Sequence, residues 1–242
     1  MKICVAQTRP VTGNIQQNIE NHKQIIALAV ANGADAIFFP ELSLTGYEPT
    51  LAKELATEQD DYRFDDFQTI SNAHQLTIGV GIPTKNNAGI CISMVIFQPQ
   101  KNRQVYSKQY LHPDEEPYFI SGQNFTGLVV NKTNIGLAIC YELSVPEHST
   151  NAFACGAEIY VASVAKFARG IDKAHHSLSD IAHRYSMTVL MSNSIGQADG
   201  DECAGKTSIW NNKGKLVGQL NDKVEGILLI DTNIQEIVEK EI

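Results

Sequence analysis

The hydrophobic pattern opens on KICVAQ, a short apolar run that predicts a strand over Lys2–Gln7. Apolar positions then take helical spacing over Ile15–Ala31 and stop at Asn32-Gly33, a helix-ending pair. A second strand is predicted over 36–39. After a turn-rich stretch holding Gly46, Tyr47 and Pro49, a helix is predicted over 64–75 and a buried strand over 77–82. Ile90–Phe97 and Gln104–Ser107 read as neighbouring strands joined by a Pro/Asn/Lys turn, which implies an antiparallel pair within a mixed sheet. Two prolines and a run of acidic residues mark 111–122 as an ordered loop able to shape a pocket. Strands follow at 127–130, 135–139 and 158–162, with a helix over 147–155. A further helix is predicted over 173–185, where Ala174, Leu178 and Ile181 are helically spaced, and strands at 188–191, 207–210 and 227–230. The tail beyond Asp231 is short and charged. Alternating helices and strands predict α/β architecture, and with no linker, low-complexity tract or repeat, residues 1–242 read as one domain.

Composition narrows the function classes. A chain of 242 residues, 43% hydrophobic and 19% charged, suits a globular protein with a sizeable core and excludes disorder, collagen-like repetition and a disulfide scaffold. A formal charge of −8 argues against global attraction to nucleic acid or anionic membrane. The five cysteines are odd in number and lack a CxxC pair, so free thiols in a reducing compartment are expected. MKICVAQTRP has too short an apolar run for a signal peptide, and no uncharged run reaches the roughly 20 residues of a membrane helix. A cytoplasmic protein is the expectation.

Three contexts place a reactive group beside an apolar strand: IFFPELSLTGY at Glu41, VYSKQYL at Lys108 and NIGLAICYE at Cys140. A strand end can hold such a group while the following loop shapes access to it, as acid-base and nucleophilic catalysis require. Taken singly, Cys140 reads as packed core, and Glu41 and Lys108 as solvated or paired charges. Together, and in order with KICVAQ, EEPYFISG, GLAICYELSVPEH, GAEIY, SNSIG and GKTSIW, they resemble the nitrilase superfamily of carbon-nitrogen hydrolases over nearly the whole chain. The resemblance implies a four-layer α-β-β-α sandwich with mixed sheets, usually a homodimer, in which no metal or organic cofactor is required. It makes Cys140 the nucleophile, Glu41 the general base and Lys108 the electrostatic stabiliser, with the Tyr141 backbone N–H as a second oxyanion donor. In that family the nucleophile is commonly followed by Tyr-Asp and an Arg-Phe-Pro-Glu stretch. Here Tyr141-Glu142 and Ser144-Val145-Pro146-Glu147 follow instead.

The resemblance also matches Glu115 to a supporting glutamate that orients Lys108 and the substrate, with Glu116 as the adjacent alternative. It puts Tyr47, Tyr110, Tyr141, Ser163, Val164 and Asn193 in pocket-forming segments. Other arrangements are weaker. His175 and His176, with Asp172 and His183, suggest a metal site, but adjacent histidines point in different directions on a helix. His148 or His112 could partner Cys140 chemically, although sequence distance establishes no hydrogen bond. The positive stretch 166–173 reads as a solvated face. No glycine-rich phosphate loop and no basic-aromatic tract points to a nucleotide or nucleic-acid module. The expected activity is hydrolysis of a small linear amide or N-carbamoyl compound through a cysteine thioester. Nitrile hydrolysis, or a non-catalytic binding or assembly role on the same fold, are the alternatives.

Overall fold

The computed structural model describes residues 1–123, 125 and 127–242. The first half runs β1 Lys2–Gln7, α1 Ile15–Ala31, β2 Ala36–Phe38, α2 Ala52–Leu55, α3 Asp65–His74, β3 Thr77–Lys85, β4 Ile90–Phe97 and β5 Gln104–Ser107. The second runs β6 Leu128–Val130, β7 Thr133–Ile139, α4 Pro146–Ala154, β8 Ile159–Val164, α5 Ile171–Tyr185, β9 Thr188–Asn193, β10 Ile195–Ala198, β11 Asp201–Ala204, β12 Ser208–Trp210, β13 Leu216–Gln219, β14 Gly226–Asp231 and β15 Glu236–Glu241.

Local chemistry sets the helix limits. Asn14 caps α1 by accepting the Gln17 N–H at 3.1 Å. Ile15, Ile19, Ile25, Ile26 and Ala29 form its buried stripe, and Gly33 leaves the helix at φ +72°. α5 buries Ile171, Ala174, Leu178, Ile181 and Ala182 in the same manner and ends on a left-handed Ser186.

Two large sheets carry thirteen of the fifteen described strands, and β10 and β11 pair as a separate hairpin. One is seven-stranded in the order β15-β14-β1-β2-β3-β4-β5, the other six-stranded in the order β13-β12-β9-β8-β7-β6. Each has parallel central pairs, β1-β2-β3 and β7-β8-β9, flanked by antiparallel strands, so both are mixed. Side chains alternate across each sheet and sort into three apolar layers. Ile3, Val5 and Phe38 meet Leu137, Val161 and Leu190 between the sheets. Cys4, Ile37 and Ile78 pack under α1 and α3, and Tyr160, Val189 and Met191 under α5. The result is the α-β-β-α sandwich.

Departures from the expected elements fall at edges. The strand expected over 77–82 continues to Lys85 because it stays paired with β4 through Lys85 and Ile90. Four strands lack an apolar run: the β10–β11 hairpin, β13 and β15. Each is held by backbone pairing to a neighbour, and the charged EIVEKE of β15 is what an exposed sheet edge tolerates. Buried hydroxyls join the two sheets: Ser192 Oγ donates to the Ala6 carbonyl at 2.6 Å, and Ser163 Oγ donates to that of Phe39. No described helix is long and apolar enough to cross a membrane.

Candidate active site

The reactive groups lie just beyond strand ends: Glu41 after β2, Lys108 after β5 and Cys140 after β7. Glu41 sits in a turn that crosses β3 closely. Leu42 adopts φ +50°, the Leu44 N–H donates to Gly81 O at 2.9 Å, and the Gly81 N–H donates to Ser43 Oγ at 3.2 Å. Gly81 is required here, since a Cβ would overlap the Pro40 carbonyl oxygen and the Leu42 nitrogen. Ser43 also bonds His22 Nε2 at 2.9 Å, while His22 Nδ1 meets the Asn18 carbonyl at 2.7 Å, which tethers the turn to α1. With Nδ1 as the donor, Nε2 accepts the Ser43 proton.

Lys108 is held by its backbone on both sides. Its N–H donates to Ile92 O at 2.8 Å, and its carbonyl accepts the Gly122 N–H at 2.7 Å. A Cβ on Gly122 would overlap Ser107, so this second close approach also excludes a side chain. The Lys108 ammonium has 0% exposure and donates to Glu41 Oε1 at 2.8 Å and to Glu115 Oε1 at 2.6 Å. Glu115 is fixed in turn by the Tyr47 hydroxyl at 2.9 Å and the His112 N–H at 2.8 Å. Glu116 is exposed, so Glu115 is the glutamate that supports Lys108.

Cys140 occupies a left-handed backbone position, φ +45°, at the junction of β7 and a short 3₁₀ turn. A non-glycine residue rarely adopts this conformation, and it marks a tight elbow. Glu142, two residues on and fully buried, organises that elbow. It accepts the Ile139 and Gln109 N–H groups at 2.6 Å each and the Tyr106 hydroxyl at 2.5 Å, tying the Cys140 turn to the segment that follows Lys108. In the sequence Glu142 stands out only as a departure from the family's usual aspartate. Its contacts could not be read from spacing because they join residues 33 and 36 positions apart.

Electrostatics follow burial. Desolvation raises the Glu41 carboxyl above the usual carboxylate range; Lys108 pulls against it and Glu115 adds to it. The second oxygen, Glu41 Oε2, is buried and accepts no hydrogen bond from the described residues. Burial works against the Lys108 charge, but Glu41, Cys140 and Glu115 outweigh it and hold the ammonium above its ordinary range. The Cys140 thiol is pushed up to about 11, chiefly by burial and then by Glu41, with Lys166 and Lys108 opposing. A neutral thiol beside a buried carboxylate with one unoccupied oxygen is a proton donor facing an acceptor.

Cys140 opens onto a cleft of about 540 Å³ whose walls include Tyr47, His112, Glu115, Tyr141, Lys166 and Phe167. Of the expected pocket residues, Tyr47 and Tyr141 line this cleft, whereas Tyr110, Ser163, Val164 and Asn193 do not. Tyr110 lies edge-on to His148. Ser163 is spent on the Phe39 carbonyl, Val164 is buried under α5, and Asn193 holds the Lys166 backbone. Lys166 corrects the solvated-face reading of 166–173: it is half-buried and lines the cleft with Cys140. The signal for it was topological, because it follows β8, the parallel neighbour of the Cys140 strand, with Ile139 opposite Ser163.

The histidine alternatives resolve otherwise. His148 lies between the Tyr106 hydroxyl at 2.9 Å and the Tyr160 hydroxyl at 2.8 Å, and burial lowers it to about 4, so it is a neutral core group. His112 is at the rim beside Asp114. His175 packs against Trp210 and His176 pairs with Asp180 at 3.3 Å. Among the described residues no three His, Cys, Asp or Glu side chains converge to hold a metal ion.

The carbon-nitrogen hydrolase family profile matches residues 2–240, and the chain belongs to that family, within the nitrilase superfamily. An (R)-stereoselective amidase from a Pseudomonas species is 27% identical over 66% of this chain, a match spanning 59% of that protein. A hydrolase encoded in the agr operon of Staphylococcus aureus is 26% identical over 98% of this chain and 93% of its own length. A solved amidase from Nesterenkonia sp. AN1 superposes with a TM-score of 0.87 at 22% identity, covering 96% of this chain and 92% of that one. The shared architecture is the superfamily's α-β-β-α sandwich.

Proposed function

We propose that this enzyme hydrolyses the carbon-nitrogen bond of a small linear amide or N-carbamoyl compound through a thioester on Cys140. The observation that carries the reading is the buried Lys108 ammonium between Glu41 at 2.8 Å and Glu115 at 2.6 Å, beside a cysteine on a strained elbow at the base of a cleft. In this reading Glu41 takes the thiol proton as Cys140 Sγ attacks the carbonyl carbon. Lys108 and the Tyr141 N–H stabilise the oxyanion. The tetrahedral intermediate collapses with cleavage of the carbon-nitrogen bond, and the proton on Glu41 passes to the departing nitrogen as ammonia or an amine. A water molecule then attacks the thioester while giving a proton to Glu41. The carbon-sulfur bond breaks, the acid leaves, and Glu41 returns the proton to sulfur. Glu115 acts as a positioning residue, since it touches Lys108 and Tyr47.

The same proposal takes 1–242 as one cytoplasmic hydrolase domain that assembles as a homodimer, which light scattering at micromolar concentration tests directly; a monomer alone contradicts that part. For the chemistry, ammonia release is measured across aliphatic amides, dicarboxylate monoamides, N-carbamoyl compounds and nitriles, with Cys140→Ala as control. Release from amides or carbamoyl compounds that vanishes in Cys140→Ala is the expected outcome. Conversion of nitriles without matched amides, or release that survives in the variant, overturns it.

A further inference from the structure

Behind the Cys140 elbow, four side chains that take no part in bond making or breaking form a hydrogen-bonded chain. Glu142, on the 3₁₀ turn after β7, accepts the Ile139 N–H through Oε2 and the Gln109 N–H through Oε1, each at 2.6 Å. Ile139 immediately precedes the nucleophile and Gln109 immediately follows Lys108, so one carboxylate spans the two catalytic segments. The Tyr106 hydroxyl, on β5, donates to Oε2 at 2.5 Å. His148, on α4, places Nε2 2.9 Å from that hydroxyl and Nδ1 2.8 Å from the hydroxyl of Tyr160 on β8. All four side chains belong to residues at most 7% exposed.

The protons fix the direction of the chain. Backbone N–H groups only donate, so Glu142 meets three donors, an arrangement that suits a carboxylate. Tyr106 has one proton and gives it to Glu142, so its oxygen accepts from His148 Nε2–H. Burial keeps His148 neutral, with a single N–H, and Nδ1 therefore accepts the Tyr160 hydroxyl proton. With Glu142 ionised, no other order pairs every group. His148 Nε2 stands 3.7 Å from Glu142 Oε2 and acts on it through the tyrosine. None of the four lines the Cys140 cleft. Tyr106 and His148 instead line a separate cavity of about 350 Å³, whose walls include Gln109, Asn134 and Asn151.

We propose that Tyr106 and His148 are positioning residues for the hydrolysis: the Tyr160–His148–Tyr106 chain orients the Glu142 carboxylate, and Glu142 holds the Cys140 sulfur in register with the Lys108 ammonium. The inference rests on the amide-hydrolase reading and deepens it. Cys140 keeps φ +45° only while its surroundings enforce it, and the Glu142 bond to the Ile139 N–H acts directly on that turn. Deleting the Tyr106 hydroxyl takes one donor from a buried carboxylate, which then turns toward another donor and draws the Ile139 or Gln109 backbone with it. A displacement of about 1 Å between catalytic groups lowers a rate by about 100-fold. Substrate binding is left alone, because no member of the chain is part of the cleft wall.

Tyr106→Phe keeps the ring and deletes the hydroxyl. On an amide that the native enzyme hydrolyses, its kcat per folded molecule is expected to fall about 10- to 100-fold, with KM within about threefold of native. His148→Ala is expected to lose kcat likewise, and the space it leaves adjoins the cavity of about 350 Å³, which admits a free azole. At a pH where both azoles are neutral, 4-methylimidazole, which carries an N–H, is expected to restore kcat. Its isomer 1-methylimidazole, of equal size but without an N–H, is not. Unchanged kcat in both variants, a loss confined to KM, or equal rescue by the two isomers overturns the proposal; the last result would mean that filling space suffices. His148→Gln, which retains a donor and an acceptor, serves if His148→Ala fails to fold, and its kcat is expected to exceed that of Tyr106→Phe; the reverse order counts against the chain. A readout independent of turnover is the rate constant for alkylation of Cys140 by iodoacetamide, followed on the peptide containing Cys140. It is expected to fall in Tyr106→Phe and His148→Ala, whereas an unfolded fraction would change an amplitude and leave the constant of the folded molecules as it was. If the native enzyme turns over no amide while this constant falls in the variants, the hydrolase reading fails and the positioning role stands. If amides are hydrolysed and neither kcat nor the constant changes, the positioning role fails and the hydrolase stands.

Discussion

A lysine with no exposed surface persists at position 108 because two carboxylates face it, and the dependence is mutual. Removing one member of a buried ion cluster leaves the others as uncompensated charges, which typically costs about 3–5 kcal/mol. Lys108→Met is therefore expected to unfold at clearly lower urea than the native protein, by that order, as well as to lose activity. The double variant Lys108→Met/Glu115→Gln should recover part of the loss, because one stranded charge is gone. Equal urea midpoints for native protein and Lys108→Met would show that the cluster is solvated. Glu41, Lys108 and Cys140 were legible in the sequence because each follows an apolar strand within an ordered set of segments. Lys166 was not, since a lysine near Arg169 and Lys173 has the composition of a solvated surface, and only the parallel pairing of β7 with β8 brings it to the cleft that Cys140 lines.

At the scale of elements, the site depends on turns that approach neighbouring strands too closely for a side chain. Gly81 lies under the Glu41 turn, and a methyl group there would meet Pro40 and Leu42 backbone atoms, which cannot move aside as a flexible side chain can. Gly81→Ala is expected to destabilise the fold by about 1–3 kcal/mol, the range for overpacking a tight core, and to lower kcat by displacing Glu41. Gly170→Ala, where no atom lies within 4 Å of the added Cβ, is the matched control for the loss of a glycine. Comparable destabilisation in both would remove the close approach as the cause. Apolar runs made β1 and β4 readable to the residue, because burial on both faces requires them, and α1 was readable from its one buried stripe. β13 and β15 escaped notice, because strands at a sheet edge owe their form to backbone pairing and not to their own side chains. The expected pocket failed at Ser163, Val164 and Asn193 for a related reason: segments at strand ends were identified correctly, but the direction of each side chain was set by sheet packing.

The whole molecule carries two buried histidines that stay neutral when folded: burial lowers His22 to about 3 and His148 to about 4 from an ordinary value of 6.5. In the unfolded chain both protonate near 6.5, so between that pH and their folded values the unfolded state binds more protons. Their contribution to stability is thus present above pH 6.5 and is lost as pH falls towards 3–4, with a slope of up to about 1.4 kcal/mol per pH unit for each histidine. Urea unfolding from pH 7.5 to 4.5 should show this decline, and His148→Gln should reduce the slope; an unchanged slope would mean that His148 protonates in the fold. The sandwich links these distant groups to the chemistry, since His22 steadies the Glu41 turn through Ser43, and Glu142, beside Tyr106 and His148, steadies the Cys140 elbow. The central claim is that an acyl group passes through the sulfur of Cys140. Mass spectrometry of the enzyme, acid-quenched during turnover of an amide it hydrolyses, measures this most directly. A mass gain equal to the acyl group less the thiol hydrogen is expected on the peptide containing Cys140, absent in Cys140→Ala. Sustained ammonia release with no adduct, and with Cys140→Ala still active, would contradict it.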